Sequence, residues 1–136
     1  MSDLRTSTDI ALSGLKAQTE RLRVISQNLA NADSVATEAG GKPYQRKTIT
    51  FKNELDRELG AEVVTVDKVG VDSAEFGKRY DPNHPGAGDD GYVLLPNVNP
   101  LIEIMDMKEA QRTYEANLNV IKTSRDLMSR TLELIK

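Results

Sequence analysis

Apolar residues recur with steps of three and four at both ends of the chain, and they alternate with polar ones in part of the middle. In the C-terminal third the series is Ile104, Met107, Gln111, Tyr114, Leu118, Ile121, Arg125, Met128, Leu132 and Ile135. This is the 3.5-residue period of a helix that presents one seam to a partner helix. A helix over 100–135 spans roughly 54 Å. Asn99 is placed to cap it, Pro100 suits its first position, and Glu103 and Asp106 sit near the positive end of its dipole. The N-terminal series is Leu4, Thr8, Ala11, Leu15, Gln18, Leu22, Ile25, Leu29 and Ala32. It predicts a second helix of roughly 43 Å. Asn28, Asn31, Asp33 and Ser34 then break the pattern, being residues that favour caps and turns.

Both seams contain polar positions. Gln18, Gln111 and Arg125 stand where apolar residues are more stabilising, either on an exposed rim or as register-fixing groups. Ile10, Leu12, Val24, Val120, Leu127 and Leu134 lie off the stripes. Each helix therefore has more than one apolar face, which points to neighbours from other chains. In the middle, "KPYQRKTITFK" alternates, with Gln45, Lys47, Ile49 and Phe51 on one face. "EVVTVDKV" is rich in β-branched residues and "EFGKRY" is a third strand candidate. "NELDRELG" reads as a short helical turn or a loop. "DPNHPGAGDDG" is a loop, because its prolines and glycines continue no element. The expected fold class is α+β, with long N- and C-terminal helices paired as an antiparallel, coiled-coil-like hairpin around a small β-rich middle region. The expected divisions are a helix over 1–33, a β-rich region over 34–98 with a loop at 81–91, and a helix over 99–136.

Composition narrows the chemistry. Six aromatic residues are thin material for a large globular core, which favours a helical assembly. The net charge of −3 gives no reason to expect nucleic acid or an acidic membrane as partner. The excess acidity lies in the middle, leaving both ends near neutral and able to pack against other helices. Without cysteine there is no disulfide and no thiolate chemistry. The first twenty residues lack the basic start and apolar run of a secretory signal, and no stretch has the length of a membrane span. His84 is the only histidine and lies in a turn. Asp81, Asp89 and Asp90 lack the spacing of a calcium loop, and "GAGDDG" lacks the Lys-Ser/Thr of a phosphate loop. No serine has a histidine at hand for a triad. These absences point away from an enzyme, a metal and a cofactor.

Two segments carry a family resemblance. "ISQNLANADS" (25–34) resembles the N-terminal motif shared by axial proteins of the bacterial flagellum. Residues 80–136, with "DPNHP", "GYV" and "PNVNP" followed by "EAQRTYEAN", resemble the proximal-rod branch of that family. The resemblance implies a structural subunit of the rod, exported by the flagellar type III apparatus without a cleaved signal peptide, in a shaft that crosses the periplasm. It implies as partners further copies of itself, the rod proteins FlgB, FlgF and FlgG, and FliE with the MS ring at the base. A soluble coiled-coil scaffold or adaptor and a distal-rod or hook paralogue are the alternatives. The former leaves the "DPNHP…PNVNP" middle unexplained, and the latter is usually longer.

Helix–helix contacts are expected at Leu15, Leu22, Ile25 and Leu29 in the first helix. In the second they are expected at Ile104, Met107, Tyr114, Leu118, Ile121, Met128, Leu132 and Ile135. Asn28 and Asn31 are expected to cap carbonyls or to bond across to the partner helix. Pro82, Pro85 and Gly91 are expected to set the shape of the loop, with Gly86, Gly88 and Gly91 free to take positive φ.

Overall fold

The computed structural model describes residues 2–135. Helix α1 covers Ser2–Ala30, strands β1 Lys47–Asp56, β2 Ala61–Val71, β3 Gly77–Tyr80 and β4 Tyr92–Leu95 follow, and helix α2 covers Pro100–Ile135. β1 pairs with β2 and β3 with β4, in two separate two-stranded sheets. The two long helices pack against one another, which makes the chain an α+β protein built on a helical hairpin.

Several boundaries differ from the sequence expectation. α1 stops at Ala30 because Asn31 closes it: the Asn31 amide N–H donates to Gln27 O at 3.1 Å and its side chain donates to the same carbonyl at 2.8 Å. "NELDRELG" is neither helical turn nor simple loop. Asn53–Asp56 extend β1, and only Arg57–Gly60 turn, with Gly60 at φ +65°. The β1 ladder begins at Lys47, so the alternating stretch before it is extended chain with other bonds to make.

The chain forms two compact units. One comprises residues 1–22, 49–68 and 108–136; the other comprises 23–48 and 69–107. In the first, the β1–β2 hairpin is fixed to α1 by the Val64 N–H, which donates to Ser13 Oγ at 3.2 Å. The helices run antiparallel there, with Arg21 and Glu109 paired at 3.6 Å and Gly14 facing Asn117. The core is small: Ala11, Ala17, Ala110 and Ile121 are its buried apolar residues, and a Cβ on Gly14 would lie 2.8 Å from Asn117 Nδ2.

In the second unit β3 and β4 are antiparallel, in register from Gly77↔Leu95 to Tyr80↔Tyr92. The Tyr80 and Tyr92 rings meet edge to face with centroids 5.3 Å apart. Val93 is buried, as are Val24 and Ile25 from α1. The loop before β4 depends on two glycines for different reasons. Gly91 has φ +78°, and a Cβ there would lie 2.9 Å from the Tyr80 ring. Gly86 does not have positive φ; its Cβ would lie 2.2 Å from the Ala36 carbonyl oxygen. Gly88 takes no positive φ either.

Candidate functional site: a polar clamp and the helix faces

α2 starts as its sequence requires. The Leu101 N–H donates to Asn99 Oδ1 at 3.1 Å, the Glu103 N–H donates to Asn99 O at 3.1 Å, and Pro100 is the first helical residue. This cap places Glu103 one turn into the helix, where it is wholly buried. A buried carboxylate needs a cation and hydrogen bonds. Arg46, from the extended chain before β1, supplies the cation, its Nε donating to Glu103 Oε1. The same guanidinium reaches Asp72 Oδ2 at 3.3 Å and Asp106 Oδ2 at 3.8 Å. Burial lowers the Arg46 pKa, but the hydrogen bond and charge of Glu103, helped by Asp72, outweigh it and the net shift is upward.

Asn28 closes the clamp from α1. Its side chain is 1% exposed, and its amide donates to Lys47 O at 2.9 Å and to Glu103 Oε2 at 3.5 Å. Its carbonyl accepts from the Lys47 N–H at 2.9 Å and from the Tyr44 hydroxyl at 2.7 Å. All four hydrogen-bonding positions of the amide are used. The Tyr44 phenol is pushed above its ordinary 10.0, first by burial and then by the charge of Glu103. Asn97, in "PNVNP", holds the remaining strands of chain. Its Oδ1 accepts from the Arg46 N–H at 2.7 Å, and its Nδ2 donates to Asp72 O at 3.0 Å and Ala74 O at 3.1 Å.

The residues singled out in the sequence are distributed as follows. In α1, Ile25 is buried and Leu15, Leu22 and Leu29 are half-buried. In α2, Ile121 is buried and Met107, Tyr114, Leu118 and Met128 are half-buried. Ile104, Leu132 and Ile135 are 43%, 52% and 73% exposed. The covered face of α2 runs Glu103, Met107, Ala110, Tyr114, Asn117, Ile121, Ser124, Met128 and Thr131. One row of the heptad is therefore the expected one and the other is its neighbour, one residue back. Both rows have the same period. The chosen row includes Asn117, which lies so close to Gly14 of α1 that a Cβ there would sit 2.8 Å from its Nδ2. Gln18 is buried rather than at a rim, and its Oε1 has no hydrogen-bond partner. Gln111 and Arg125 are exposed. Asn31 caps α1, as described, and Pro82 and Pro85 are exposed in the loop. His84 Nδ1 accepts from the Gly86 N–H at 2.9 Å, a bond internal to that loop.

Tyr44, Arg46, Asp72 and Asn97 were not anticipated as members of the clamp that Asn28 closes. The sequence offered one signal only, the place of Glu103 in the first turn of α2; the heptad put Ile104, not Glu103, on the seam.

Two family models match this chain: that of the flagella basal body rod protein over residues 9–36, and that of the flagellar basal body rod FlgEFG protein C-terminal over residues 89–134. The chain is 50% identical to the flagellar basal-body rod protein FlgC of Agrobacterium fabrum, over 100% of its own length and 98% of that relative. The chain belongs to the FlgC family of flagellar basal-body rod proteins. The FlgC protein of Aquifex aeolicus is 35% identical with full coverage of both chains, and that of Bacillus subtilis is 34% identical over 96% of this chain and 97% of the relative. The chain is accordingly a structural protein of the flagellar basal body. In this FlgC-family chain Asn28 lies within the first matched segment and Asn97 and Glu103 within the second, whereas Tyr44, Arg46 and Asp72 fall between them. Among the described residues no helix is long and apolar enough to cross a membrane.

Proposed function

We propose that this chain is a subunit of the proximal rod, the part of the shaft nearest the cell body, and that it carries torque through its paired helices. The supporting observation is the end-to-end similarity to FlgC proteins, together with apolar residues left exposed along α2, among them Val120, Leu127 and Leu134. A shaft under torsion needs contacts on several sides of each subunit, and helices with more than one apolar face provide them. In this reading 1–33 and 99–136 form the helical inner part and 34–98 the outer part. The helix contacts include Leu15, Leu22, Ile25, Leu29, Met107, Tyr114, Leu118, Ile121 and Met128 within or between subunits, and Ile104, Leu132 and Ile135 between them. The neighbours are further copies, FlgB, FlgF, FlgG, and FliE with the MS ring. The chain reaches the periplasm-spanning rod through the type III apparatus, keeps its N-terminus, and performs no catalysis.

The test is localisation in isolated basal bodies. Cells that produce an epitope-tagged chain should carry the tag at the cell-proximal end of the rod, and deletion should abolish both the rod and swimming. A tag absent from the basal body, or confined to the distal rod or hook, refutes the reading.

A further inference from the structure

The row of α2 that misses the seam faces outward in a definite chemical pattern. Leu118 is half-buried there, flanked by Lys108, Arg112, Lys122 and Arg125, all exposed, with Glu115 the opposing charge. Asp126, at the border, is already paired with Arg130 at 3.3 Å. With Glu115, Asp126 and Glu133 on the same side, the face is net basic around one leucine, and its basic residues nearest Leu118 are Lys122 and Arg125.

The same unit carries a surface of the opposite character. An open groove of about 530 Å³ lies between α1 and the β1–β2 hairpin. Leu12, Ala17, Leu59, Val63, Val64 and Val66 line it, and Leu12 is 39% exposed. Its charged lining is acidic: Asp9, Asp56 and Glu58, with Glu20 at one end, against Lys16. The Asp56 carboxylate accepts the Glu58 and Leu59 N–H groups at 3.0 and 3.3 Å, so the hairpin tip that bears Glu58 and Leu59 is held in a fixed shape. From Asp9 to Glu20 the groove follows α1 for roughly 16 Å, enough for two turns of a helix with Leu118 and Arg125 roughly 10 Å apart.

We propose that the groove receives the basic face of α2 from a second copy of this chain. Leu118 enters the apolar floor, the stems of Lys122 and Arg125 lie along it, and their charged heads reach the acidic rim. The two surfaces are different parts of the molecule, so the contact is heterologous. It leaves each new subunit with a free groove or a free face, and it extends as a ring or a helical array instead of closing as a two-fold dimer. This inference rests on the rod reading above.

The chain has no cysteine, so introduced thiols report on this contact alone. Full-length Leu59→Cys and Leu118→Cys chains are co-produced in cells that lack the native copy, and Leu12→Cys with Leu118→Cys serves as a second pair. Basal bodies are isolated, oxidised and run without reductant. The expected product is a band at twice the 15.0 kDa chain mass from at least one mixed pair, and from no single variant. A mixed pair present in basal bodies without that band overturns the proposal, as does a band from Leu118→Cys alone or a cross-link to a different rod protein. A chain missing from the basal bodies fails the rod reading instead. As an independent arm, Glu58→Lys should reduce incorporation about tenfold, and adding Lys122→Glu should restore it. Loss without restoration overturns the pairing of these surfaces.

Discussion

Replacing Asn28 by Ala removes all four bonds of its amide and leaves, between Lys47 and α1, only the Lys47 ammonium donating to Gln27 Oε1 at 3.1 Å. Tyr44 can turn its hydroxyl toward water, being only partly covered, and Glu103 keeps Arg46. The Lys47 N–H and C=O cannot move away, because Lys47 is the first residue of β1 and both groups bond the Asn28 amide. Leaving a buried donor or acceptor unpaired costs ~1–3 kcal/mol. Two such groups, discounted for the half-buried position of Lys47, give a loss of about 3 kcal/mol. For a domain of this size that lowers the melting temperature by about 10 °C. Urea unfolding supplies the total, and native-state hydrogen exchange supplies the local reading, since the Lys47 amide should lose protection before its neighbours in β1. Asn31→Ala is the comparison: it removes the cap bond to Gln27 O and the bond that Asn31 Oδ1 accepts from the Ser34 hydroxyl, neither fully buried and together worth ~1–2 kcal/mol. If Asn28→Ala costs no more than Asn31→Ala, or if the Lys47 amide stays protected, the clamp does not hold α1 to β1.

Arg46→Met should be worse than Asn28→Ala, by urea midpoint, because it leaves the wholly buried Glu103 without its cation, a loss of about 3–5 kcal/mol; Arg46→Lys should recover only part of it. Gly91→Val should impair rod assembly and motility, because a β-branched residue resists φ +78° and its Cβ meets the Tyr80 ring, whereas His84→Gln should leave swimming close to normal. Gln18→Leu should raise stability by about 1–2 kcal/mol in urea unfolding, since it removes a buried carbonyl that has no partner. The Tyr44 phenol has a higher pKa folded than its ordinary 10.0. Its contribution is therefore complete below about pH 10 and is lost as pH rises through the folded value, so Tyr44→Phe should flatten the alkaline limb of a stability-versus-pH curve.

The long elements were legible because their period is a physical requirement: a helix that buries one side must repeat apolar residues every 3.5 to 3.6 positions. Asn99 and Pro100 gave the start of α2 for an equally local reason. The loop glycine that needs positive φ, Gly91, was on the short list but was not distinguishable from Gly86, which is required by the approach of the Ala36 backbone from fifty residues away. Which row of α2 completes the seam was not legible either. Counting apolar residues favours Leu118 and Leu132, while the observed row buries Ala110 and Ser124 and sets Asn117 against Gly14, a close approach that only a residue without a side chain leaves room for. The clamp was mostly hidden for the same reason: a bond from Asn28 across to the partner helix was among the expectations, but Arg46, Asp72 and Glu103 meet it only in three dimensions, and each alone looks like an ordinary solvated side chain.

The distance along the chain between Asn28 and its partner Glu103, 75 residues, also sets an order of events. Any chain that appears N-terminus first, at a ribosome or a pore, has α1 waiting without its buried carboxylate partner until the last third has emerged. Closing so long a loop is entropically slow compared with forming a local hairpin. Until then Asn28 has at most three of its four bonds, those to Tyr44 and Lys47, and α1 lacks the tertiary packing from which most helical stability comes. The clamp thus works as a latch that only a chain reaching past Glu103 can close, and one truncated before it stays open to proteases.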